Sequence, residues 1–177
     1  MSQCNVSFHD GVGGNSPVNH GRFANTAFER LRILEKYRRI GMVGLSANPF
    51  RPSHFAAIYL ISEGYDVVPV NPREKAVLGR PSYPSLAAVP GGVEVVDIFR
   101  EPAAVPAIVE EAIAIGAKVI WMQLGVIHEE AAERARQAGL EVVMDRCMKI
   151  EHARFFGGLN TIGMNTAVLT SRRKAAR

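Results

Sequence analysis

The chain has 177 residues, 47% hydrophobic and 21% charged, a balance that suits one globular domain with a real core and excludes a disordered chain. The net charge of +4 is local, because Arg172, Arg173, Lys174 and Arg177 supply four cations while the other 17 basic residues match the 17 acidic ones. That distribution excludes the basic folded face with interleaved aromatics that nucleic acid needs, so no nucleic-acid partner is expected.

Residues 1–24 read as a flexible leader, since Gly11, Gly13, Gly14, Asn15, Pro17 and Gly21 leave little to pack. The leader lacks the basic start and apolar stretch of a secretory signal. No apolar run in the chain approaches the roughly 20 residues of a membrane span. No membrane partner and a cytoplasmic location are the expectation. Of two cysteines, Cys4 falls in the leader and Cys147 far from it, so no structural disulfide is expected. His9, His20, His54, His128 and His152 show no ligand spacing, so no metal site is expected.

A helix starts near Asn25, with capping-box spacing at Thr26 and Glu29 and an apolar stripe of Phe28, Leu31, Leu34 and Tyr37. The apolar run 40–45 then reads as a strand buried on both faces. A helix over 52–64 follows, with proline in its first turn and glycine as its stop. Strands over 66–70, 93–99, 118–122 and 140–144 alternate with helices over 102–115 and 128–138. Pro106 predicts that the first of those helices begins late. A short helix over 148–155 closes the pattern. Strands alternating with helices define an α/β fold, a Rossmann-like doubly wound parallel sheet of about five strands with helices on both faces. Ligands of such sheets lie beyond the strands' carboxyl ends.

After the first strand comes GLSANPFRPS at 44–53, a loop and helix start of the kind that receives a pyrophosphate. Ser46, Asn48 and Ser53 are short donors there and Arg51 a fixed cation; helix capping and a surface arginine are the plain alternatives. The loop lacks G-x-G-x-x-G, and the second strand ends Val70-Asn71-Pro72-Arg73 with no carboxylate for ribose hydroxyls. Asn71 and Arg73 suit a phosphorylated ribose, as in coenzyme A or NADP, or simply a turn. Phe99 and Arg100 suit an adenine and a phosphate, or a core aromatic and a surface cation. Gln123 is polar in an apolar run, and Gly125 permits close backbone approach. Cys147 stands at a helix start between Arg146 and Lys149, a setting that predicts a lowered thiol pKa, although a small apolar packing role is the commoner one.

The segments VGLSANPFRPS (43–53), GYDVVPVNP (64–72), IFREP (98–102), GAKVIWMQLGV (116–126) and AGLEVVMDRCMKIE (138–151) resemble the small stand-alone CoA-binding proteins. Their domain is similar to that of the succinyl-CoA ligase alpha subunit. The resemblance covers roughly residues 27–155; the organisation expected is a leader over 1–24, a Rossmann-like CoA-binding domain over 25–158 and a mobile tail over 159–177. The resemblance implies coenzyme A or an acyl-CoA as the ligand. Gly44, Ser46, Asn48, Arg51, Pro52 and Ser53 would form the pyrophosphate loop. Val70, Asn71 and Pro72 would flank the adenosine, with Arg73 near its phosphate, Phe99 and Arg100 near the adenine, and Gln123 and Gly125 near the pantetheine arm.

The ligase relatives transfer phosphate through a histidine and need an ATP-grasp partner, and neither is legible in this chain. Cys147 and His152 are five apart, which does not bring them together on one helix face. The reading is a CoA-binding module without catalytic residues of its own. The alternatives are an NADP-linked oxidoreductase or redox sensor on the same fold, and a scaffold for a protein partner.

Overall fold

A computed structural model describes residues 26–157. The leader (1–24) and the tail (159–177) lie outside the described residues. In chain order the elements are α1 (Ala27–Lys36), β1 (Arg39–Val43), α2 (Pro52–Ser62), β2 (Asp66–Val70), β3 (Ala76–Val77) and β4 (Arg80–Pro81). There follow β5 (Val95–Ile98), α3 (Val105–Ala114), β6 (Val119–Met122), α4 (Glu129–Gln137), β7 (Glu141–Val143) and α5 (Met148–Phe156).

Five strands form one parallel sheet in the order β2-β1-β5-β6-β7. Side chains alternate across it. Val96, Ile98, Ile120, Met122 and Val142 meet α3 and α4 in one core. Ile40, Met42, Val95, Val119, Trp121 and Val143 meet α1, α2 and α5 in the other. The sheet is thus covered on both faces, which is why its strands read as continuous apolar runs. Each fully buried Val, Ile or Leu contributes about 1.5–3 kcal/mol. No helix among the described residues is long and apolar enough to cross a membrane.

At α1 the Thr26 hydroxyl accepts from the Glu29 amide at 3.2 Å, and the Glu29 carboxylate accepts from the Thr26 amide at 2.6 Å, the capping box the spacing predicts. The buried face differs from the predicted stripe. Arg30, Ile33, Leu34 and Tyr37 face inward while Phe28 is 82% exposed. The cause is a buried ion pair: Arg30 Nε donates to Glu151 of α5 at 2.8 Å, and that contact sets the helix's rotation. Before α3, a 3-10 turn over Pro102–Ala104 leaves Pro106 in the first helical turn, which suits its missing N–H.

The β3–β4 hairpin has no counterpart in the sequence reading. Leu78 and Gly79 both take positive φ (53° and 72°), the backbone of a tight two-residue turn. The hairpin lies along the free edge of β2. Arg80 donates to the Asp66 carboxylate at 2.8 Å and to the Val67 carbonyl at 3.3 Å. Tyr83 N–H donates to Pro69 O at 3.0 Å, and Asn71 N–H to Tyr83 O at 2.8 Å.

Candidate functional site

Strand order reverses between β1 and β5, and a cleft of about 1000 Å3 opens beyond their carboxyl ends. Its walls include ten residues singled out from sequence: Gly44, Ser46, Arg51, Pro52, Ser53, Asn71, Arg73, Phe99, Arg100 and Gln123. Asn48, Val70, Pro72 and Gly125 lie outside that wall. The Asn48 side chain accepts from the Phe50 amide at 2.9 Å, so it shapes the loop from within. Val70 is a buried strand residue, and the Gly125 amide donates to Asp145 at 2.8 Å.

Gly44 holds the cleft open where β1 turns off. Its φ is +89°, and a Cβ there would lie 2.7 Å from the Phe99 carbonyl oxygen. That turn also ends β1 at Val43, two residues before the predicted strand end. The following loop is tied by its own polar side chains: Ser46 N–H donates to Ser53 Oγ at 3.3 Å, and Asn48 N–H to Ser46 Oγ at 3.1 Å. Pro52 has no amide proton, and the Ser53 amide is among those a helix's first turn leaves without an intrahelical acceptor. Arg51 makes no side-chain cap, and neither it nor Arg73 forms a salt bridge among the described residues.

Asn71 braces the neighbouring loop. Its Nδ2 donates to Leu45 O at 2.9 Å and its Oδ1 accepts from the Arg73 amide at 3.1 Å, an Asx turn that aims Arg73 along the wall. Glu74, unnoticed in the sequence, accepts from the Ala47 amide at 3.1 Å. On the β5 side Arg100 bonds Glu101 at 3.1 Å, and that hydrogen bond holds the Glu101 carboxyl below its ordinary range.

Beneath the cleft floor lies Asp97 of β5, fully buried. Gln123 Nε2 donates to its Oδ1 at 2.7 Å, while Oδ2 has no hydrogen-bond partner. Burial pushes the Asp97 carboxyl up to about 7, against the smaller opposing effect of the Gln123 bond. A lone carboxylate inside the run VVDIF was the available signal. Cys147 is the N-cap residue of α5 and lines the cleft. Its thiol corrects the sequence expectation: burial pushes its pKa up, and the nearby Asp97 charge adds to this, outweighing the α5 amides and Lys149. Phe55, Ala56, Leu124, Val126, Lys149 and Ile150 complete the wall. They are apolar or helical positions whose direction periodicity alone does not reveal. No cluster of His, Cys, Asp and Glu among the described residues has the geometry to hold a metal ion.

A doubly wound sheet with an arginine-lined cleft at its switch point defines the class of Rossmann-like α/β proteins, whose ligands lie at that edge. A family model described as the CoA binding domain matches residues 38–153, and the chain belongs to that family. The uncharacterized protein YneT of Bacillus subtilis (strain 168) is 37% identical over 121 residues, 68% of this chain and 90% of YneT. A hypothetical protein from Pyrococcus horikoshii OT3 is 44% identical with a TM-score of 0.73, covering 75% of this chain and 94% of its own. The dinucleotide-forming acetyl-coenzyme A synthetase 1 of Ca. Korarchaeum cryptofilum is 25% identical with a TM-score of 0.57. The match covers 65% of this chain and 28% of the synthetase.

Proposed function

We propose that this chain is a coenzyme A-binding module whose ligand lies across the carboxyl edge of the sheet, with no reaction catalysed by its own residues. The observation that carries the reading is the cleft at the β1–β5 switch point, in which Arg51 and Arg73 have no salt-bridge partner among the described residues. Membership of the CoA binding domain family supports the same ligand. Coenzyme A carries a diphosphate and a ribose phosphate, so two separated cations in one cleft fit its donor needs. In this reading the Ser53 amide, the Ser46 hydroxyl and Arg51 hold the diphosphate at the start of α2. Arg73, oriented by Asn71, meets the ribose phosphate. Phe99 and Arg100 flank the adenine, and the pantetheine arm runs past Gln123 towards Cys147. Asn48, Val70, Pro72 and Gly125 contribute by shaping the loops around it. Coenzyme A itself supplies a thiol that carries acyl groups; the chain's part is to bind, orient and shield it.

Titration calorimetry with CoA and with NADPH tests the reading. CoA should bind and NADPH should bind more weakly or not at all. Arg51→Ala removes a charge-assisted contact and should weaken CoA binding by about 1.5–3 kcal/mol, more than tenfold. Tighter binding of NADPH than of CoA would return the protein to the redox reading, and an Arg51→Ala variant that binds like the parent would move the diphosphate elsewhere.

A further inference from the structure

A second cavity, about 430 Å3, runs between α2 and α5 and shares Phe55, Lys149 and Ile150 with the cleft. Its remaining wall is Ile58, Tyr59, Ser62 and Ala153. α2 buries Ala57 and Leu60 towards the sheet, which leaves Phe55 61% and Ile58 47% exposed away from it. Single exposed apolar residues are ordinary, but these two line one continuous groove.

We propose that this groove is the acyl subsite of the cleft, and that the chain's preferred ligand is an acyl-CoA thioester with an apolar chain. The proposal rests on the CoA reading. With the diphosphate at the start of α2 and the adenosine towards Arg73 and Phe99, the pantetheine arm ends at Cys147 and Ile150, where α5 begins. The groove meets the cleft at Lys149 and Ile150, beside that end, and at Phe55 of α2. A thioester carbonyl beside Lys149 would send its chain past Phe55 and along Ile58 and Ala153.

The groove's two hydroxyls each have a partner within the chain, and most of its wall is apolar, which favours a hydrocarbon over a polar chain. Ser62 Oγ donates to Tyr59 O at 2.7 Å, and the Tyr59 hydroxyl bonds His152 Nδ1 at 3.0 Å. The Lys149 ammonium sits 4.2 Å from the Phe55 ring centroid, a cation–π pair across the junction of the two cavities. Beyond Lys149 at the mouth, the side chains of Ile58, Ile150 and Ala153 offer no hydrogen bond to a ligand. Burial of methylenes is then the only source of affinity along the groove.

The experiment is calorimetry of the full chain with CoA, acetyl-CoA, butyryl-CoA, hexanoyl-CoA and octanoyl-CoA, in the parent and in Ile58→Asp. Ile58 lines the groove and not the cleft. The expected result is a dissociation constant that falls with chain length by up to about fourfold per methylene, the equivalent of about 0.8 kcal/mol. Ile58→Asp should flatten that series and leave CoA affinity within about twofold of the parent, which also shows that the variant is folded. A flat series in a parent that binds CoA overturns the acyl subsite alone, whether a second copy or residues 158–177 fill the groove instead. A slope that survives Ile58→Asp overturns it too. Failure of every ligand, CoA included, removes the CoA reading and this proposal together.

Discussion

Asp97 is a carboxyl whose environment opposes its charge. It is fully buried, one of its oxygens lacks a partner, and its pKa stands near 7 against an ordinary 3.8. The folded chain therefore holds this proton over a range in which the unfolded chain has released it. Between about pH 4 and 7 stability falls as pH rises, and it levels off above that range. Asp97→Asn removes the titration. In urea unfolding, the variant should gain on the parent by about 1–3 kcal/mol between about pH 5 and pH 8. An equal difference at both pH values would show that Asp97 does not titrate in this window. At this scale the sequence was informative where a residue's type is unusual for its place. Arg51 in a loop and Gln123 in an apolar strand end both line the cleft. It was silent on direction: Lys149 and Ile150 look like any helical pair, and their place in the cleft wall depends on how α5 packs. Cys147 was misread for a related reason, because neighbouring cations are visible in a sequence and burial is not.

Among the elements, α5 is held from behind. Glu151 is 2% exposed and takes Arg30 of α1 at 2.8 Å and Arg154 of its own helix at 3.1 Å. This pair anchors the helix that carries Cys147, Lys149 and Ile150 into the cleft. Glu151→Ala leaves Arg30 buried without that carboxylate and should cost about 3–5 kcal/mol in denaturant unfolding. Arg30→Leu combined with Glu151→Leu should recover part of the loss, since the buried Arg30 charge is removed with its partner while Arg154 still loses its carboxylate. A double variant no better than the single one would mean that the pair acts through something other than its charges. The five sheet strands and five helices were legible because the strands are short continuous apolar runs and glycines such as Gly64, Gly116 and Gly139 stop the helices between them. The β3–β4 hairpin was not, because its turn is Leu78-Gly79 and lacks the Asn or Asp that marks such turns. The Arg30–Glu151 pair spans 121 positions, a separation no local pattern reveals.

At the scale of the whole molecule, two cores share one sheet, so each strand is clamped between helices and the cleft stands on a rigid edge. Doubly wound topology was legible because the alternation of elements leaves few ways to cover a parallel sheet. The sheet's flank at β2 was not, yet it bears on how the molecule behaves in a crowd. A strand with unpaired amides and carbonyls is a template on which another chain can add itself. Here most of that template is taken. The Val67 carbonyl is taken by Arg80, the Pro69 carbonyl by Tyr83, and the Asn71 amide by Tyr83. Pro69 itself has no N–H to offer. Pro69→Val with Arg80→Ala would restore one outward donor and free one outward acceptor on the same strand. Dynamic light scattering at high concentration should then report growing oligomers in the double variant and none in the parent. Two equally monodisperse samples would mean that the Tyr83 segment alone is guard enough against its own kind.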